Sequence, residues 1–411
     1  MYFSLSEKKN LLLSFILIII IFLLSSNIAW INPDTRGAIK VISIPLFWQY
    51  DVDSILELGT ATYFPELFKD LPARVTRPLY PMTANALGNF FYFLSPIKFD
   101  FIYFVAFSYF LIKICIYFFS AICLIKICTF LKFNKEIINI ILLILFLNSI
   151  LIKSITSFHT TELQILLPVI STFFYILFIQ NKINIFVFAL ILGILFLGKN
   201  NYAIVMTIIL HLIYYKRFND ATFFIITFFI PLILWVMFYK TVLGLDFLFT
   251  EHTKYYGWFN FESYNINFFG ESLYKIISSF VKSYIVFFIF IPIYIFNFQY
   301  KLLNKRHIVF IVLFCLSIML QMFITNKPDS IYMTKDINFI YCIILGLIIY
   351  KITNKLKFFS FNKITFFIFG LILLGNSIIS LGNFPLIHPY NQKILEDHSD
   401  YIKKANDKYE K

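Results

Sequence analysis

Charged side chains are scarce in this sequence. Asp, Glu, Lys and Arg make up 14% of its 411 residues, while hydrophobic residues make up 60% and the mean hydropathy is +0.81. Apolar runs of about 18 residues or more, the length a helix needs to cross a bilayer, recur along the chain. The composition therefore excludes a soluble globular protein and predicts an all-α fold, a polytopic transmembrane helical bundle.

Cysteine is also rare, and its placement excludes two kinds of site. All five cysteines lie in apolar segments, with no Cys-x-x-Cys pair and no histidine at ligand spacing: Cys115, Cys123, Cys128, Cys315 and Cys342. Such residues are typical of small buried hydrophobic side chains, so neither a disulfide framework nor a zinc site is indicated.

The net charge of +13 reflects basic residues between apolar runs rather than a nucleic-acid surface. Short loops rich in Lys and Arg are typical of the cytoplasmic side of membrane proteins. We therefore expect a lipid bilayer, and no nucleic acid, as a partner of this chain.

Hydropathy predicts about eleven membrane spans. They lie near residues 11–31, 101–127, 136–153, 161–180, 183–198, 202–215, 221–243, 280–299, 308–325, 336–352 and 364–382. This layout places the basic loops on one side and predicts a multi-pass protein of the cell membrane with a cytoplasmic N-terminus. The first run resembles a signal peptide but has no small-residue cleavage site, so we interpret it as a retained anchor.

The apolar segment at 80–96 is the least certain part of this topology. A twelfth span there would reverse every later loop and place the basic clusters outside. We interpret the segment as a helix that lies at the outer interface or enters the membrane partway.

Acidic residues are concentrated in the first outer loop, 32–97. Five of the 22 acids and two arginines lie within 51–77: Asp51, Asp53, Glu57, Glu66, Asp70, Arg74 and Arg77. The apolar positions from Asp53 onward predict an amphipathic juxtamembrane helix with Asp53, Glu57 and Thr60 on its polar face, and Pro65 suits the start of a second helix.

Three motifs carry a resemblance to a known superfamily. They are the Asp53 helix followed by Arg77-Pro-Leu-Tyr-Pro81, then Phe158-His-Thr-Thr-Glu162, then Gly193-Ile-Leu-Phe-Leu-Gly-Lys199. Together they resemble the GT-C superfamily of integral membrane glycosyltransferases, which use polyprenyl-phosphate-linked sugars. The resemblance covers about the first 215 residues. Lys199 stands where the superfamily segment has Arg. Lysine cannot bind a phosphate through two nitrogens as arginine does.

The resemblance implies a division of the chain. Residues 1–243 would form the catalytic transmembrane module, 244–382 a variable transmembrane module and 383–411 a short outer tail. The active face would be periplasmic or extracellular.

The chemistry of sugar transfer assigns roles to the candidate residues. An acceptor hydroxyl needs a carboxylate base, for which Asp53 is the first candidate, with Asp51 and Glu162 as others. A departing phosphate needs cations and hydrogen-bond donors, and the candidates are Arg74, Arg77, Tyr80, His159, Lys199 and Lys335. Asp51-Val-Asp53 also matches a D-x-D metal motif, so Asp51 and Asp53 are candidate ligands for a divalent cation, Mg²⁺ or Mn²⁺.

Asp53, Glu162 and Arg77 also have structural interpretations. Asp53 followed by Ser-Ile-Leu-Glu resembles a helix capping box, and Glu162 suits a helix N-terminus. Arg77 could reach the interface by snorkelling, as could Lys113 within its apolar run.

The sequence predicts a glycosyltransferase that moves a sugar from a polyprenyl-phosphate donor to a glycan, lipid or protein acceptor outside the cytoplasm. Two alternatives remain open: a transporter or flippase of lipid-linked saccharides, and a polymerase of glycan repeats. The absence of an internal repeat and the scarcity of outer arginines favour the transferase.

Overall fold

The computed structural model describes residues 4–31, 52–64, 77–97, 101–155, 160–199, 201–244, 270–271, 273–274, 277–278, 305–324, 335–336, 338–356 and 370–375. All regular secondary structure in those residues is helical, which confirms the predicted all-α class. The helices are α1 (Leu5–Ile31), α2 (Val52–Thr62), α3 (Leu79–Leu94), α4 (Phe101–Phe130), α5 (Lys135–Phe146), α6 (Ser149–Ser154), α7 (Leu163–Ile179), α8 (Ile185–Phe196), α9 (Tyr202–Tyr214), α10 (Phe218–Leu243), α11 (Lys305–Ile324) and α12 (Asn338–Leu356).

Within the described residues, α4 and α10 are long and apolar enough to cross a membrane. Shorter apolar helices accompany them: α7, α8, α9 and the central parts of α11 and α12. The prediction of apolar helices of membrane-crossing length is confirmed for α4 and α10. The number of eleven spans stays a prediction, since 280–299 and most of 364–382 lie outside the described residues.

One predicted span, 136–153, is divided into α5 and α6. Asn148 lies at the break, where its side-chain oxygen accepts a hydrogen bond from the backbone nitrogen of Ile150 at 2.9 Å. Asparagine stabilises a helix start better than a helix interior, so a single polar residue interrupts the apolar run. The break sets the position of Ser154, whose carbonyl contributes to the site below.

Helices α2 and α3 pack on α4 at one end of the bundle. Leu58 and Ala61 of α2 share an apolar cluster with Tyr80 of α3 and Tyr109 of α4. Gly88 allows α3 to approach α4 closely, since a Cβ added at this position would lie 2.9 Å from a side-chain carbon of Val105.

The predicted polar face of α2 is not open to water. Glu57 is 1% exposed and Thr60 is fully buried, so this part of the helix is enclosed by its neighbours. The predicted polar residues Glu57 and Thr60 thus face neighbouring helices rather than an exposed surface. The second predicted helix, at Pro65, lies outside the described residues.

At the other end of the bundle, polar contacts join helix ends. Lys126 Nζ lies 2.7 Å from Glu7 Oε1, which joins the start of α1 to the last turns of α4. Arg217 Nε donates to Asp220 Oδ2 at 2.6 Å at the start of α10. Lys126, near the end of a predicted span, and Arg217, in a predicted cytoplasmic loop, therefore both pair with acids at this end.

Gly193 permits the close crossing of α8 and α10. An added Cβ would clash with the Phe228 carbonyl oxygen and lie 3.0 Å from Pro231 Cγ. We expect Gly193→Ala to lower the free energy of unfolding by about 1–3 kcal/mol, because the carbonyl cannot move without shifting α10. Thermal unfolding in detergent measures this. Ile194→Ala, at a position 41% exposed on the same helix, is the control and should unfold near the wild-type temperature.

Candidate functional site

Glu162 is the most enclosed acid of the candidate site. It is fully buried and immediately precedes α7, but its side chain makes no capping hydrogen bond. Instead, Oε1 lies 3.1 Å from Lys113 Nζ and accepts a hydrogen bond from Tyr80 Oη at 3.3 Å. Oε2 is buried with no hydrogen-bond partner among the described residues. One oxygen is therefore anchored, and the other is available for a substrate atom.

Lys113 lies in α4 and is 1% exposed, so it does not snorkel to an interface. Besides Glu162, its ammonium donates to the Ser154 carbonyl at 2.7 Å. Tyr117 extends the network, since its hydroxyl donates to the Leu151 carbonyl at 2.8 Å and lies 3.0 Å from Ser154 Oγ. A charge inside an apolar helix is stable only with such partners. Lys113 thus fixes the position of the Glu162 carboxylate.

The turn between α8 and α9 brings Lys199 to the start of α3. The backbone nitrogen of Leu79 donates to the Leu197 carbonyl at 3.3 Å. An added Cβ at Gly198 would lie 3.4 Å from side-chain carbons of both Leu163 and Leu79. The contact places Lys199 beside Arg77, two residues before Leu79, and both cations act on one region.

The charged groups around Lys199 change its pKa and so identify its neighbours. Burial lowers the pKa of Lys199 well below its usual range, and the nearby charges of Arg77 and Lys335 lower it further, whereas Glu57 and Glu162 raise it. Lys199 is 5% exposed, and Arg77 Nε is buried without a hydrogen-bond partner among the described residues. Buried cations that repel one another favour a bound anion.

Lys335 and Asp336 reach the same region from the turn before α12. Both are buried, at 7% and 2% exposure. Burial raises the pKa of Asp336 well above its usual range, and the charges of Lys199 and Lys335 oppose that rise. Its Oδ1 has no hydrogen-bond partner in the described part of the chain. A carboxyl group in this state is a candidate proton donor or acceptor.

Glu57 completes the set from α2. Its backbone carbonyl accepts a hydrogen bond from Tyr109 Oη at 3.4 Å. We call the whole set the charged cluster; its members are Glu57, Arg77, Tyr80, Lys113, Glu162, Lys199, Lys335 and Asp336. Four cations and three acids give a formal excess of one positive charge.

Five predicted site residues belong to the charged cluster: Arg77, Tyr80, Glu162, Lys199 and Lys335. Asp51, Arg74 and His159 lie outside the described residues, as does the side chain of Asp53, whose backbone is in the first turn of α2. The assignment of Asp53 as base therefore stays a prediction.

Three members of the charged cluster were not among the predicted site residues. Glu57 lies one turn after Asp53. Its position in the acid-rich loop is the sequence feature that could have identified it as a site residue. Lys113 is a lysine in the middle of an apolar helix, which is itself a sign of function. Asp336 follows Lys335 directly, so its place next to a predicted site residue was its signal in the sequence.

The described residues contain no group of three or more His, Cys, Asp or Glu side chains arranged to hold a metal ion. The predicted ligands Asp51 and Asp53 are not among the side chains described. The expectation of Mg²⁺ or Mn²⁺ at Asp51 and Asp53 thus stays a prediction.

Comparison of the chain with protein-family models, with curated proteins and with solved structures finds no match. Its function is therefore inferred from the charged cluster and from the sequence motifs that contain Arg77, Tyr80, Glu162 and Lys199.

Proposed function

We propose that this protein is an integral membrane glycosyltransferase of the GT-C type, which moves a sugar from a polyprenyl-phosphate donor to an acceptor outside the cytoplasm. The observation that carries the proposal is that Arg77 and Lys335 lie close enough to Lys199 to lower its pKa, near the half-free carboxylate of Glu162. Lys199, Lys335 and Glu162 are buried at one end of an apolar bundle, and Arg77 is partly buried there.

The cations of the charged cluster match the phosphate of the proposed donor. A polyprenyl-phosphate sugar presents a phosphate at the end of a hydrocarbon chain, so its site must join positive charge to an apolar helical surface. Arg77, Lys199 and Lys335 come from three different segments, and the charges of Arg77 and Lys335 both act on Lys199. Charge-assisted hydrogen bonds to phosphate are among the strongest in proteins.

The carboxylates suit the transfer. The acceptor hydroxyl gives its proton to a carboxylate while its oxygen forms a bond to the anomeric carbon, and the bond from that carbon to the phosphate oxygen breaks. Polyprenyl phosphate leaves with the bonding electrons and is stabilised by the cations. Asp53 is the proposed base, and Glu162, held by Lys113 and Tyr80, is the proposed contact to the sugar or acceptor.

The topology that accompanies this function is also proposed. A cytoplasmic N-terminus would place the Glu7–Lys126 end of the bundle inside and the charged cluster at the outer surface. The donor tail would lie between helices at the lipid boundary. The protein would thus act on the periplasmic or extracellular face of the cell membrane.

A transfer assay with purified protein in nanodiscs tests the proposal. We expect labelled sugar to move from polyprenyl phosphate, and not from a nucleotide sugar, to an acceptor. Arg77→Gln and Lys199→Gln should each raise the KM for the donor about ten- to a hundredfold, as expected for loss of a hydrogen bond to a charged group. Lys182→Gln, in the exposed turn between α7 and α8, is the control and should leave KM unchanged.

Two outcomes would contradict the proposal. Transfer from a nucleotide sugar alone would give the protein a different donor class. Movement of labelled lipid across the membrane of liposomes that contain the protein, without sugar transfer, would make it a flippase.

A further inference from the structure

A cavity outside the charged cluster lies between α4, α7, α9, α11 and α12. Its volume is about 380 Å³, which is within the range of ligand sites. It is bordered by Ile179 at the end of α7 and by Tyr215 just after α9, whereas Glu162 precedes α7 and Lys199 precedes α9. A helix as long as α7 spans about 25 Å, so this side of the cavity lies at the other end of α7 and α9 from the charged cluster, whereas its opposite wall includes Phe339, close in sequence to Asp336.

The inner walls of this cavity are apolar, with a few polar groups. Ile127, Ile176, Ile311 and Ile343 are among the apolar residues that line it. Thr172, 7% exposed, also lines it, and its hydroxyl is buried with no hydrogen-bond partner in the described residues. An unsatisfied buried hydroxyl is costly and indicates a missing partner.

The mouth of the cavity carries cationic and imidazole groups. Arg217 and His307 line it at partly exposed positions, His211 lies deeper and is buried, and no acid lines the cavity. Asp220 faces Arg217 from the next turn, but the hydrogen bond uses only Nε. The guanidinium also stacks on Phe178, 4.6 Å from the ring centroid. Within the described part of the chain, its two terminal nitrogens thus stay available to an anion.

Tyr175 orders the imidazole of His211. The Tyr175 hydroxyl lies 2.6 Å from His211 Nδ1, and both side chains are buried. A hydrogen bond at Nδ1 directs the ring and leaves Nε2 as its other polar atom. The cavity therefore combines apolar walls with oriented polar groups, as ligand sites do.

We propose that this cavity binds one anionic phospholipid, with an acyl chain along the apolar walls and the phosphate at Arg217 and His307. A lipid is the occupant that fits, because the walls belong to apolar helices and the mouth lies at helix ends rich in Lys and Arg. Basic pockets between membrane helices bind anionic headgroups in this way. An ester carbonyl of the lipid would accept the hydrogen bond that the Thr172 hydroxyl lacks. The site does not depend on the glycosyltransferase proposal.

Native mass spectrometry of the full-length protein in detergent tests the inference, with palmitoyl-oleoyl phosphatidylglycerol and the matching phosphatidylcholine as probes. We expect one phosphatidylglycerol per protein, bound at least about tenfold more tightly than phosphatidylcholine. Arg217→Gln should remove that preference, and Ile311→Trp, which fills the cavity, should remove the bound lipid. The controls Lys182→Gln and Ile308→Trp, exposed positions outside the lining, should bind as wild type does.

A photoreactive phosphatidylglycerol added to the wild-type protein gives a second measurement that needs no variant. Its cross-links should fall on α7, α9 and α11. Equal binding of the two lipids, cross-links confined to α10, or displacement of phosphatidylglycerol by millimolar inorganic phosphate would each overturn the proposal, the last because it would identify a free-phosphate site.

Discussion

Asp53→Asn protein should transfer sugar about a thousandfold more slowly than wild type, with little change in the KM for the donor. Removal of a general base costs about a hundred- to ten-thousandfold in rate, because the acceptor proton then has no positioned carboxylate to receive it. The cations that bind the donor phosphate stay in place, so donor binding should be nearly unaffected. Single-turnover transfer from labelled polyprenyl-phosphate sugar measures the chemical step directly.

The first outer loop offers matched controls for this experiment. Asp70→Asn changes another acid of the same loop and should keep wild-type turnover. Glu57→Gln tests the acid one turn further along α2, which is buried and close to Lys199. If Asp53→Asn is fully active while Glu57→Gln is not, the base is Glu57 and the assignment of Asp53 is wrong.

The positions of Arg77 and Lys199 illustrate what local sequence can predict. Each lies in a short motif beside a residue that limits the local backbone: Pro78 follows the arginine with a fixed φ, and Gly198 before the lysine is closely packed against Leu163 and Leu79. The motifs predicted that both residues belong to one site, and the structure places both in the charged cluster. The contact between the two motifs, the Leu79–Leu197 hydrogen bond, joins residues more than a hundred positions apart and could not be read from either motif alone.

Lys113 and Glu57 show why the rest could not be predicted. The same lysine in an apolar run can snorkel or pair internally, and the choice depends on the helix that packs beside it. Here α6 and the start of α7 supply partners, and their position follows from the break at Asn148. An amphipathic pattern likewise shows that α2 has a polar side but not that other helices enclose it.

Hydropathy predicted where the helices lie along the chain better than it predicted how deeply each one enters the membrane. The predicted spans at 101–127 and 221–243 correspond to α4 and α10, which are long enough to cross a membrane. The segment 80–96 forms α3 nearly as predicted, with 16 residues. Its apolar composition is the same for an interfacial and a membrane-inserted helix, so sequence alone does not decide between them.

Lys113→Met should be the most destabilising single substitution of the charged cluster, lowering the free energy of unfolding by about 3–5 kcal/mol. Methionine has a similar length, so the loss comes from an uncompensated Glu162 carboxylate in an apolar interior and from the orphaned Ser154 carbonyl. Unfolding of the purified protein by SDS in mixed micelles, followed by circular dichroism, measures the difference.

Lys126→Met is the matched control, since it makes the same change in the same helix. Lys126 also pairs with an acid, at 2.7 Å from Glu7, which is closer than the 3.1 Å between Lys113 and Glu162. Its side chain is 17% exposed against 2% for Lys113, so water can replace the lost partner. We expect a loss of at most about 1 kcal/mol. Equal losses for the two variants would show that burial does not set the strength of the Lys113 pair.

A double-mutant cycle separates this stabilising role from the chemistry. Glu162→Gln removes the charge that Lys113 faces, so the double variant should be about 2–3 kcal/mol more stable than the sum of the single losses predicts. The double variant should therefore fold and yet transfer no sugar, because the amide cannot replace the carboxylate at Oε2. Additive losses would mean that the two charges do not interact, and Lys113 would then not position Glu162. A folded double variant with wild-type turnover would remove Glu162 from the reaction while leaving its pairing with Lys113 intact.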